Sequence, residues 1–145
     1  LLIENMSTYT PPSSPNDEVL GYVYFARLCS KIRLHQSGEL DPEFQPNMGK
    51  GMDLWTCQLL HVDYDDLSKV VEGGKTDQEA LEWCWQKGNK PKQHELDWWN
   101  SFMRNRCYRD DLSDLLTRRK QESGWQDRDD IQTMFDYLDA DDGRL

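Results

Sequence analysis

Apolar residues in this chain recur every three or four positions and nowhere alternate over more than a few residues. That spacing lines one face of a helix and cannot line one face of a strand, so it commits the chain to an all-α fold. The fullest stripe is Tyr22, Phe25, Ala26, Cys29 and Ile32, in a first helix expected from Asp17 to Gln36. Val19, Val23 and Leu28 carry the apolar surface well round that helix, which marks it as central and buried. Gly38 supplies its stop.

Helix punctuation divides the rest. Residues 37–51 hold three glycines and two prolines and have no helical period, so a loop is expected, with room for a short strand. Met52 to His61 reads as a short helix. Asp63 caps the next one, with Val62 and Leu67 placed as a hydrophobic staple, and Gly73-Gly74 ends it. Thr76 and Glu79 form a capping box for a helix closed by Gly88. Pro91 precedes a longer helix through Leu96, Trp99, Phe102 and Met103. Leu112, Leu115 and Leu116 mark another from Asp111 to Ser123, with Gly124 just past its end. Ile131, Met134, Phe135 and Leu138 form the last stripe, behind Asp129 and Asp130. The sum is about seven helices and roughly 60% helix, in a single compact domain around the buried first helix. That domain is expected over residues 16–145. The Ser/Thr/Pro-rich start makes 1–15 a mobile lead-in. Met6 is a candidate start, which would make residues 1–5 an upstream extension.

Charge limits the partners. A formal net charge of −10 opposes both nucleic acid and anionic membrane surfaces, which need a cationic face. The four cysteines, Cys29, Cys57, Cys84 and Cys107, are widely spaced, three of them on expected buried helix faces, and read as free thiols of a cytoplasmic protein. His35, His61 and His94 have no metal-ligand spacing, so neither metal nor cofactor is expected. The run from Asp139 to Gly143 imitates a calcium loop, but its glycine is misplaced and no closing Glu follows. It reads as a solvated acidic end.

Two sets of residues remain as candidate sites. Arg27, Lys31 and Arg33 sit on a helix too apolar for all three to face water, and a buried cation must be paired. Glu39, Glu43 and Asp53 are the nearby carboxylates, and Phe44 lies among them. One reading is an ion-pair network that pins the loop. The other is a ligand site for a carboxylate or phosphate. The six tryptophans divide likewise. Trp85 and Trp99 lie on core faces, whereas Trp83 and Trp98 point elsewhere and are candidates for a partner-binding patch.

Several blocks resemble one family. Leu20-Gly21-Tyr22-Val23 through Ala26-Arg27-Leu28, with Lys31 and Arg33, is similar to the opening of DUF5069, an uncharacterised bacterial domain of unknown function. Gly38-x-Leu40-x-x-Glu43-Phe44, Met52-Asp53, Asp77 through Trp83, and Trp99 to Met103 with Arg106 resemble its following blocks. Asp130-Ile131-x-Thr133-x-Phe135-Asp136 through Gly143-Arg144 is similar to the end of its longer members. Two positions depart from the family pattern: Ser30 stands where an acid is usual, and His61 where a small residue, often Gly, is usual. The resemblance implies a mostly helical domain in the bacterial cytoplasm and implies no activity. The expected role is therefore a non-catalytic helical domain that binds a protein partner or a small anionic ligand. A small enzyme with its site between the first helix and the 38–51 loop is the alternative, and a structural homo-oligomer a third reading.

Overall fold

Gly21 interrupts the first stripe, and there the chain turns instead of coiling. A computed structural model describes residues 10–145. In it Val19 and Tyr22 exchange backbone hydrogen bonds of 3.0 and 2.9 Å across a two-residue turn. Both turn residues, Leu20 and Gly21, have positive φ, 49° and 85°, as the tightest reversals require. The side-chain amide of Asn100 holds this turn, donating to the Gly21 carbonyl at 2.8 Å and accepting from the Val23 amide at 3.3 Å. Helix α1 therefore begins at Phe25 and ends at Gln36, eight residues later than the stripe suggested.

Six further α-helices follow: α2 Met52–Leu60, α3 Tyr64–Glu72, α4 Asp77–Lys87, α5 Gln93–Asn105, α6 Ser113–Glu122 and α7 Met134–Asp141. The seven-helix, all-α expectation holds, and there is no strand among the described residues. The 37–51 loop carries a 3-10 turn at Pro42–Asn47 where a short strand had been allowed for. Helix covers about half of the described residues rather than ~60%, because two segments that share the apolar spacing are irregular. One is the turn before α1. Another holds Ile131, which is buried at 1% exposure yet precedes the helix it was assigned to.

The local caps explain the boundaries. Asp63 accepts from the Asp65 amide, and Thr76 and Glu79 form the reciprocal capping box. Thr133 caps α7, and its partner is Asp136. The end of α4 passes so close to the end of α2 that a Cβ at Gly88 would strike the carbonyls of Leu60 and His61. Only glycine fits that crossing.

Helix α1 is central as expected. It packs on α3 and α4, and seven of its residues are buried, Arg27 and Lys31 among them. The main core gathers α1 through α5 and Phe135. A smaller cluster gathers Cys107, Leu116, Ile131, Met134, Tyr137 and Ala140. Met52 touches both. Residues 1–9, with the candidate start at Met6 and most of the expected lead-in, lie outside the described residues. The later part of that lead-in is packed: Pro12, Ser14 and Pro15 are buried. Ser13 explains why, donating its amide to Ser30 Oγ at 2.8 Å and giving its carbonyl to Arg27.

Candidate functional site

Two of the three cations face one cleft. Helix α1 brings Tyr24, Arg27 and Lys31 to its floor. The 3-10 turn adds Glu43 and Phe44, α2 adds Met52 and Trp55, and α6 and α7 close the far side with Leu115, Arg119, Tyr137 and Asp141. The cleft holds about 590 Å³ and opens to solvent past the exposed Glu43, Lys50 and Glu122.

Its floor is a buried polar network. The Lys31 ammonium donates to Asp53 Oδ1 at 2.7 Å and to the Tyr24 hydroxyl at 3.0 Å. Tyr24 in turn donates to Asp53 Oδ1 at 2.7 Å, and the second oxygen of Asp53 accepts the Gly49 amide at 3.0 Å. Asp53 is fully buried and Lys31 nearly so. Burial pushes the Lys31 ammonium down, an effect only partly opposed by Asp53. Burial first, and then the Asp53 charge, holds the Tyr24 hydroxyl well above its ordinary value, so it stays a neutral donor.

Arg27 is held from the opposite end of the chain. Its guanidinium meets Asp142 at 2.7 Å and lies 5.6 Å from the centre of the Phe44 ring. Asp142 also takes Arg144 at 3.2 Å, and its carboxylate is wholly buried. The acidic end that looked solvated thus includes a structural ion pair. Arg33 departs from the expected trio. It pairs with Asp77 at 2.6 Å and donates to the Lys75 carbonyl, in a separate half-exposed groove. Of the three expected carboxylates only Asp53 meets a cation. Glu39 accepts from Ser37 Oγ, and Glu43 lines the cleft without forming an ion pair to Arg27 or Lys31.

Several cleft residues were not among the candidate site residues read from the sequence. Arg106 spans the rings of Trp55 and Phe102 at 5.0 and 4.9 Å and pairs with Asp110 and Asp111. Arg119 is half-buried and has no ion pair among the described residues. Tyr24 and Cys107 have φ of 69° and 77°. Both are non-glycine residues in the left-handed region, and both line this cleft. Such strain survives only where the surroundings over-determine it, and it concentrates at functional sites. Cys107 is no ready nucleophile, since burial and Asp110 push its thiol up to about 11. All four cysteines are free and buried.

The two tryptophan candidates separate. Trp83 is half-buried against the main core, whereas Trp98 is 69% exposed with its ring edge against His94. No cluster of His, Cys, Asp or Glu among the described residues could hold a metal ion. No helix among them is long and apolar enough to cross a membrane.

The residues that line the cleft and cap its walls fall inside one family match. The model of DUF5069, a domain of unknown function, matches residues 9–144. The chain belongs to that family. No curated protein and no solved structure matches it. The two departures from the DUF5069 pattern now have a structural setting. His61 follows α2 with φ of 55°, a conformation that costs glycine nothing and other residues something. Ser30, in place of an acid, bonds the Ser13 amide and the Arg27 carbonyl rather than a cation.

Proposed function

We propose that this member of DUF5069 binds a small anionic ligand with an apolar body in the cleft between α1, the 3-10 turn and α6–α7. One observation carries the reading. At the cleft, Arg27, Lys31 and Arg106 are already held by Asp142, Asp53 and the Asp110–Asp111 pair, whereas Arg119 and Lys50 line it with no ion pair among the described residues. The aromatic walls Phe44, Trp55 and Tyr137 supply the apolar surface that small-ligand sites combine with a few placed polar groups. Arg119 has the most freedom to meet an anion, because the other buried cations already hold carboxylates. We also read the protein as bacterial and cytoplasmic, on the family resemblance and the four unpaired buried thiols.

Thermal unfolding with three probes of one shape tests the ligand class. Phenyl phosphate and benzoate are expected to raise the melting midpoint, and benzylamine to leave it unchanged. An anion at 100 times its Kd stabilises the fold by about 2.7 kcal/mol. Arg119→Glu is expected to abolish that gain. Stabilisation by benzylamine alone, or an unchanged anion effect in Arg119→Glu, overturns the reading.

A further inference from the structure

The network on the cleft floor exceeds what fastening a loop requires. A single ion pair between α1 and α2 would tie the helices together. Here an amine, a phenol and a carboxylate meet mutually within 2.7–3.0 Å. Only two of the amine's three N–H positions are engaged among the described residues, and the side chains of Lys31 and Tyr24 line the cleft while Asp53 stands behind them. A desolvated lysine beside a proton acceptor and a proton donor is the arrangement by which an amine becomes a nucleophile toward carbonyls.

We propose that Lys31 condenses reversibly with a small carbonyl compound bearing a carboxylate or phosphate, forming a protonated imine in the cleft. This rests on the reading of the cleft as an anion site and names the reacting group of its ligand. The ammonium first gives one proton to Asp53 Oδ1, 2.7 Å away. The freed lone pair forms a bond to the carbonyl carbon, and the C=O π pair moves onto oxygen. That oxygen takes a proton from the Tyr24 hydroxyl, which recovers one from Asp53. A second proton leaves nitrogen by the same route, the C–O bond breaks, and water departs. The balance is one ammonium and one carbonyl giving one iminium and one water, with Asp53 and Tyr24 restored and no oxidant or reductant. Burial favours the neutral amine that starts the sequence, since desolvation depresses the Lys31 ammonium. Arg119 and Lys50 stand at the same cleft for the ligand's anionic group.

Borohydride trapping tests this on the intact chain. The protein is incubated with pyridoxal phosphate, an anionic aromatic aldehyde, or with glyoxylate, then reduced, digested and mapped. Label is expected to concentrate on Lys31, about tenfold above the exposed Lys69 and Lys75. Phenyl phosphate is expected to slow that labelling by competition. Tyr24→Phe separates proton transfer from packing. It is expected to slow imine formation about tenfold while leaving Lys31 equally reactive toward trinitrobenzenesulfonate, whose ring the amine attacks with loss of sulfite and no carbonyl oxygen to protonate. Label spread evenly over surface lysines overturns the proposal. If phenyl phosphate still stabilises the fold in that case, the anion site stands and the reactive amine falls. If it does not, both fall. Mapping the unmodified chain keeps the outcome readable even where a Lys31 variant fails to fold.

Discussion

The two hydrophobic clusters are held together by different means. The main core closes over chain neighbours. Helices α2 to α5 follow one another through short connections, most with local caps, and together with α1, across the 37–51 loop, they bury Phe25, Leu28, Ile32, Leu60, Leu67 and Leu81 at 1% exposure or less. The smaller cluster has fewer fully buried side chains. Phe135 of α7 packs into the main core against Tyr24, and the direct tie from the end of α7 to α1 is polar, the Arg27–Asp142 pair, between residues 115 positions apart. The cleft lies where these two halves meet. Apolar packing supplies stability in the first region, and a buried ion pair supplies registration in the second. A site at the seam can then be shaped without disturbing the core.

Identical truncations in the two clusters test this most directly. Leu81→Ala, at a fully buried position, is expected to cost about 4–5 kcal/mol in denaturant unfolding, and Leu116→Ala only about 2–3. Equal costs would mean one undivided core. Breaking the polar tie comes next. Asp142→Asn leaves Arg27 buried without its counter-charge and is expected to cost about 3 kcal/mol. Hydrogen exchange should place that loss in α6 and α7 rather than α3 and α4. Arg33→Ala, whose pair with Asp77 is half-exposed, should cost less than about 1 kcal/mol. A loss as large as that of Asp142→Asn would show that exposure does not distinguish the two pairs.

The smallest expected effect sharpens the seam itself. Burial, and then the adjacent Asp142 charge, raise the Asp141 carboxyl above its ordinary 3.8. A raised folded value means the native state holds that proton more tightly than the unfolded chain. Stability from this group is therefore full below pH 3.8 and is lost as pH rises through the folded value. Asp141→Asn is expected to raise the melting midpoint slightly at neutral pH and to lose that advantage in acid. An advantage that persists in acid would assign the effect to packing rather than charge.

Much of the main core was legible because its signals are local. Apolar spacing, the Asp63 cap and the Thr76–Glu79 box all act within one or two turns, and each stands where it was read. The start of α1 was misread for the same reason. Val19, Tyr22 and Val23 keep a helical spacing, but Gly21 and the amide of Asn100, 79 positions away, make a turn there instead. The candidate site was legible in part. Lys31, Asp53, Arg27 and Phe44 do meet at one cleft, whereas Arg33 and Glu39 do not. Tyr24 lies outside the apolar stripe and carried no sequence signal.

By itself, then, the sequence determined that the chain is helical, where most helices stop, and that α1 must be buried with its cations paired. It could not determine which carboxylate each cation would meet. Any of 27 acidic residues carries the same charge, and nothing local ranks them. Tertiary structure made that choice by approach. Residue Asp53 arrives on α2 beside Lys31, Asp142 arrives at the end of α7 beside Arg27, and Asp77 reaches Arg33 at the start of α4. Helix spacing is fixed by interactions within a turn, but a charge finds its partner only after the chain has closed, so the cleft belongs to the fold and not to any one segment.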